Sequence, residues 1–254
     1  MLISRRFSLS RVKMLGLLDE MEAATDTAKS LYVPFGLPVS EVENLLIKAF
    51  GPQDIPQGLV ELAANSKTGA TLFWGSPRKY LILPPFPLAE GHLADGYDVA
   101  PLRCLLKHDF RVALALVRLG AYAVGICQGE NIISSKVGTG LVHARHKKGG
   151  SSQQRFQRHR EKQIEYFLTR VCTHVREQLE PYSHVLDYIV YGGAWTTILS
   201  LRKRCSFLRQ FDDRTLPPLL NIPEPRKVVL EAAISQVWSS IVTEWHDNED
   251  PDTG

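Results

Sequence analysis

Two glycines, two serines and two glutamines stand together at Gly149-Gly150-Ser151-Ser152-Gln153-Gln154. Glycines let a backbone adopt dihedrals that other residues avoid and approach a ligand closely. The polar and apolar pattern that follows reads as a long helix, so this segment sits at a helix start. A helix start exposes unpaired N–H groups, and its dipole favours negative charge. Such a tip suits a developing oxyanion. Ser151 or Ser152 is placed to act as the N-cap. The plain alternative is a flexible loop capped by serine, because Gly/Ser turns before helices are routine.

The charge around this segment is lopsided. Arg145, Lys147, Lys148, Arg155, Arg158, Arg160 and Lys162 face only Glu161, a local net of +6 against +3 for the whole chain. A concentrated basic patch on a near-neutral protein is the footprint of a phosphate-backbone partner. His143, His146 and His159 read as part of that basic surface. The four cysteines, Cys104, Cys127, Cys172 and Cys205, lack two-to-four-residue spacing and a matching His cluster, so no zinc site is expected. They read as small buried hydrophobes kept reduced.

The elements that must position the loop follow from periodicity. Residues 11–50 look helical, with Ser40 and Glu43 spaced as a capping box, and a further helix is expected over 58–65. Ala70 to Trp74 and Lys79 to Leu83 read as a hairpin, and 86–106 as a connector. Asp109 to Val117, Ala121 to Cys127 and Asn131 to Val137 form an antiparallel meander broken at Gly138 to Gly140, with Leu141 to Ala144 as an extension. In the first of these strands Phe110, Val112, Leu114 and Leu116 face one way, and both faces are apolar enough to be covered. A helix over 152–179, a strand over Leu186 to Tyr191, a helix over 195–208, an edge strand over Leu216 to Ile222 and a last helix over 226–245 complete the pattern. Trp195, Trp238 and Trp245 are expected in the core. The result is a three-layer α/β domain at 107–246, after a smaller helical and hairpin region at 1–106 and before an acidic tail at 247–254.

Composition is ordinary for a globular chain of 254 residues, with 44% hydrophobic and 22% charged. No apolar run approaches the roughly 20 residues of a membrane span. Met1 to Lys13, basic and without acid, reads as a frayed leader, a composition that transit peptides share. A cytoplasmic protein is expected.

The stretch Gly149 to Gln163, GGSSQQRFQRHREKQ, resembles the loop of eukaryotic and archaeal peptide-chain release factors, in which a Gly-Gly-Gln loop precedes an arginine-rich helix. It is still more similar to the Vms-like release-factor (VLRF) family of ribosome quality control, whose loops vary as Gly-x-x-Gln or Gly-Gly-x-Ser-Gln. Gly149, Gly150, Ser152, Gln153, Arg155 and Phe156 match the latter form. The resemblance covers roughly 107–245, and implies a mixed sheet with a ribonuclease-H-like motif. It implies a stop-codon-independent peptidyl-tRNA hydrolase without cofactor or metal, whose partners are the large ribosomal subunit and peptidyl-tRNA, not DNA or membrane. The catalytic loop would be Gly149, Gly150, Ser151, Ser152 and Gln153, with Gln154 the rival glutamine, and the seven basic residues would contact RNA. Ser151 departs from the strict motif, where Gln directly follows the glycines. Two rivals stand beside this reading. One is a tRNA 3′-end nuclease using acids such as Asp109, Glu130 and Asp187, which form no recognisable metal set. The other is a non-catalytic ribosome-binding module.

Overall fold

A computed structural model describes residues 3–24, 27–142 and 151–246. Its elements run β1 (Ile3–Leu9), α1 (Arg11–Ala23), β2 (Ala28–Val33), α2 (Val39–Phe50), α3 (Leu59–Ala64), β3 (Ala70–Gly75), β4 (Arg78–Leu83), β5 (His92–Asp95), α4 (Ala100–Lys107), β6 (Arg111–Arg118), β7 (Ala121–Gln128), β8 (Asn131–Thr139), α5 (Ser151–Leu179), β9 (Tyr188–Gly193), α6 (Trp195–Arg204), β10 (Thr215–Leu220), α7 (Lys227–Val237) and β11 (Ser240–His246). They gather into two compact units, Met1–His108 with Gln236–Gly254, and Asp109–Ser235.

The first unit is an antiparallel sheet in the order β1-β11-β4-β3-β2-β5. Alternating side chains serve two cores. Tyr32, Phe73, Ile82 and Val242 pack with Met14 and Leu18 of α1 and Leu102 and Leu106 of α4. Leu31, Leu72, Leu81 and Trp245 pack with Val42 and Leu46 of α2 and Leu59 of α3.

Several expectations change in this unit. The stretch expected as one helix over 226–245 is α7 followed by β11, which pairs with β1 and β4 on either side. Ile241, Val242, Thr243 and Trp245 are β-branched or aromatic and fit a pleated surface better than a helix. Residues 236–246 therefore lie in the first unit and not with 109–235. The stretch read as a frayed basic leader contains β1, whose register against β11 runs from Ile3↔His246 to Leu9↔Ser240. Residues 11–50 are two helices separated by β2, and the connector at 86–106 holds β5 and α4. Pro38, not Ser40, occupies the cap position of α2, and no side chain caps it. Trp238 and Trp245 are buried, but Trp195 is 61% exposed at the start of α6. The acidic tail, 247–254, lies outside the described residues.

In the second unit the strand order is β10-β9-β6-β7-β8. The meander β6-β7-β8 is antiparallel, while β9 runs parallel to β6 and β10 parallel to β9. This is the ribonuclease-H-like arrangement in a mixed sheet. Ala113, Ala115 and Val117 of β6, with Tyr122, Val124 and Ile126 of β7, pack under α5 and α6. Val112, Leu114 and Leu116 point to the other face and are equally buried. There α7 approaches closely, since a Cβ on Gly125 would lie 2.8 Å from Leu230 Cδ2. The unit is thus a three-layer α/β fold with helices on both faces. Gly138 belongs to β8 and does not break it. A side chain there would collide with the Tyr122 ring, so glycine is a packing requirement at that point.

The cysteine expectation is also revised. Cys172 of α5 and Cys205, just after α6, form a disulfide with Cα atoms 5.4 Å apart, and Cys104 is exposed. Only Cys127 is the buried thiol expected, and burial pushes its pKa up to about 12. The pairing is invisible in sequence because 33 residues separate partners that two packed helices bring together. Closing a loop of that length contributes about 3–4 kcal/mol in the chain-entropy account.

Two outcomes follow. Iodoacetamide added to the native, unreduced protein at pH 8 labels Cys104 and spares Cys127, Cys172 and Cys205; peptide mass spectrometry reads this, and label on Cys172 or Cys205 contradicts the pairing. Gly193→Ala lowers stability by about 1–3 kcal/mol from backbone strain alone. Gly193 has φ +125° and a Cβ there would strike the Val117 carbonyl oxygen. Urea unfolding measures the loss, and an unchanged midpoint would contradict the geometry.

Candidate functional site

The site is governed by how α5 is held. Its C-terminal half is anchored by Phe167, Leu168, Val171, Val175 and Leu179, all buried against the sheet. Polar ties reinforce the hold. Arg170 Nη2 donates to the Thr139 carbonyl at the end of β8. Ser134 Oγ donates to Gln178 Oε1 at 2.7 Å, and His174 stacks on Tyr122 with ring centroids 5.5 Å apart. The N-terminal half is different. From Gln154 to Arg160 every side chain is exposed or half-buried, and the first buried side chain is Phe167. At 1.5 Å per residue, Ser151 therefore stands about 24 Å along the helix from the first anchored residue.

Local sequence explains why that half stays helical without a core. Gln, Arg, Lys and Glu are good helix formers. Gln157 Nε2 donates to Glu161 Oε1 at 3.0 Å, and Gln163 and His159 are linked at 3.2 Å, both across one turn. Electrostatics oppose it. The first turn carries no acid, and cations near a helix N-terminus meet the positive end of the dipole, each costing about 0.3–1 kcal/mol. An anion bound at this end removes that penalty.

The residues singled out from sequence divide as follows. Gly149, Gly150, Arg145, Lys147 and Lys148, with His143 and His146, lie outside the described residues. Ser151, Ser152 and Gln153 form the first turn of α5. Both serines fall inside the helix and not in the flanking cap position expected of one of them. Arg155, Arg158 and Lys162 are exposed at three-to-four spacing, which puts them on one helical face. Arg160 is half-buried and its spacing places it on a different face. Phe156, which matches the family loop form, is 59% exposed because it precedes the anchored half.

Asp187 is occupied structurally. Its Oδ2 accepts from the Arg111 N–H at 2.7 Å, and its own N–H donates to the Arg111 carbonyl at 2.9 Å. Arg111 pairs with Gln128, and Gln128 with Asn131, so Asp109, Glu130 and Asp187 gather at the end of the sheet where β6 and β9 begin. The exit of β8, beside the end of β6, is the opposite end. Among the described residues no group of three or more His, Cys, Asp or Glu is arranged to hold a metal. No described helix is long and apolar enough to cross a membrane.

Sequence reasoning did not single out a groove of about 450 Å³ beside the β8 exit, lined by Gly140, Leu141, His159, Lys162, Tyr166 and Phe167 among others. The available signal was Tyr166, an aromatic residue four positions after Lys162 on the basic face.

The described part of the layout is a ribonuclease-H-like sheet with a long, basic-ended helix packed across it. The acVLRF1 family, the Actinobacteria/chloroflexi VLRF1 release factor, matches residues 110–243, more than half of the chain, and the chain belongs to that family. It is 22% identical over 221 residues to peptide chain release factor subunit 1 of Aeropyrum pernix, covering 75% of this chain and 59% of that protein. It is 31% identical over 109 residues to the protein of the same name from Archaeoglobus fulgidus, covering 43% of this chain and 27% of that one. The chain thus spans less than two thirds of the length of either relative. Among solved structures, the Vms1 mitochondrial localization core superposes at TM-score 0.43 with 14% identity, over 67% of this chain and 74% of that one. The archaeal translation termination factor aRF1 does so at 0.39 with 16% identity, over 91% and 73%.

The uneven anchoring of α5 predicts a gradient in amide hydrogen exchange. Amides of 155–162 exchange fast, near the limit of local fraying, and those of 168–178 only by larger openings. Uniform protection along the helix would show that the N-terminal half is held by something other than its own hydrogen bonds.

Proposed function

We propose that the chain is a stop-codon-independent peptidyl-tRNA hydrolase that frees nascent chains from the large ribosomal subunit through its Gly149 to Gln153 loop. One observation carries the reading. In a chain of the VLRF1 release-factor family, the Gly-Gly-Ser-Ser-Gln segment leads into a helix whose projecting half is basic and whose first turn has no acid. A projecting helix suits delivery of a small reactive tip into a confined RNA-walled site. Its unfavourable charge at the N-terminus is relieved by a polyanion.

The chemistry required is modest. Peptidyl-tRNA joins peptide to ribose by an ester, and hydrolysis needs a placed water and a stabilised tetrahedral oxyanion. Glutamine is neutral and is no conventional general base; its amide offers donors and an acceptor. Gln153 orients the water, and backbone N–H groups of the loop stabilise the oxyanion. Arg145, Lys147, Lys148, Arg155, Arg158, Arg160 and Lys162 hold ribosomal RNA or the tRNA acceptor end, positioning without reading sequence.

The test is single-turnover release of peptide from stalled peptidyl-tRNA on large subunits. Gln153→Ala is expected to slow release by about 10²–10³-fold, as for loss of one oxyanion-site donor, with ribosome binding unchanged. Gln154→Ala stays within a few-fold of wild type. Release by Gln153→Ala at the wild-type rate would sink the mechanism, and a strict need for a stop codon would sink the stop-codon-independent assignment.

A further inference from the structure

The groove at the β8 exit is not used by the chemistry above, and its lining is unusual. His159, Lys162 and Arg170 contribute to it, and among the described residues no carboxylate does. Two of its apolar side chains, Tyr166 and Leu141, are 72% and 73% exposed. An exposed aromatic ring and an exposed aliphatic side chain in a basic groove offer a flat ring an apolar seat and its phosphate a cation.

The groove is also connected to the tip. Arg155, His159, Lys162 and Tyr166 succeed one another at spacings of four, three and four, so they share one helical face. Glu161 falls on the other side of the helix by the same count, and Glu165, three positions after Lys162 at the flank of this face, is ion-paired with Arg204 at 2.9 Å. A path of three basic side chains thus runs from the first turns of α5 to the groove. From Gln153 to Tyr166 it measures about 20 Å along the axis.

We propose that this face of α5 carries the unpaired 3′ tail of the tRNA, with phosphates on Arg155 and Lys162 and one unpaired base stacked on Tyr166 in the groove. The choice of the tRNA tail as occupant rests on the hydrolase reading, whose ester lies at the end of that tail. An unpaired strand fits because its bases are free to stack, whereas a duplex presents only backbone. Tyr166 is a positioning residue here: it sets where the strand lies and takes no part in the bond that breaks.

The test measures binding of the full chain, by fluorescence anisotropy at fixed salt, to an RNA hairpin with an unpaired 3′ CCA tail and to the same hairpin without it. The tail is expected to strengthen binding to wild type. Tyr166→Ala removes that advantage, a change of roughly tenfold in line with base–aromatic stacking, and Tyr166→Phe keeps it. Lys162→Ala weakens binding and lowers the salt slope by about one. Because Tyr166 is exposed, the thermal midpoint of Tyr166→Ala should match wild type, which separates lost binding from lost folding. A tail advantage that survives Tyr166→Ala overturns the proposal, as does a loss equal for tailed and blunt hairpins. Displacement by polyglutamate as effective as by unlabelled RNA also overturns it, in favour of an acidic protein partner. The assay needs no hydrolysis, so a Gln153→Ala protein that never releases peptide still tests the groove. A wild type that shows the Tyr166-dependent tail preference but releases no peptide counts against the hydrolase and not against the groove.

Discussion

Everything at the candidate site depends on one constraint: α5 is packed along only half its length. Phe167, Leu168, Val171, Val175 and Leu179 fix its lower half to the sheet, and the Cys172–Cys205 disulfide and the Arg170–Thr139 hydrogen bond act on the same stretch. Among the described side chains of α5 nothing comparable is buried before Phe167. A helix is stiff over a few turns, so anchoring one half sets the direction of the other. The tip is therefore positioned by contacts more than four turns away.

That division also separates two kinds of selection on one helix. The anchored half needs apolar residues at three-to-four spacing. The projecting half needs helix formers and solubility, and it is unusual in being basic at the end where a helix favours acids. For the isolated protein that arrangement is a small penalty. Opposite a phosphate backbone it becomes an attraction, because dipole and side chains then act with the same sign. The glycines at Gly138, Gly140 and Gly193 serve the anchor from the sheet side, where side chains would meet Tyr122, Phe167 and the Val117 carbonyl.

Membership of the VLRF1 release-factor family agrees with this layout over the region where sheet and helix form it, residues 110–243. That span ends inside β11, which pairs in the first sheet. The family pattern thus crosses from the second unit into the first.

The sequence by itself determined the second unit nearly element by element. β6 and β7 are nearly continuous apolar runs, β6, β7 and β8 are joined by short glycine turns, and α5 has an unbroken apolar stripe from Ile164 onward; these are local signals. The Gly-Gly-Ser-Ser-Gln segment and the charge around it were equally plain, since composition needs no partner to be read. What only tertiary structure decided were the long-range pairings. β1 and β11 join opposite ends of the chain, and a strand completed by a partner more than 200 residues away carries no local mark. The same holds for Cys172 with Cys205, and for the groove lined by Leu141, just after β8, and Tyr166 of α5. Periodicity reports which face of an element is buried; it does not report what buries it.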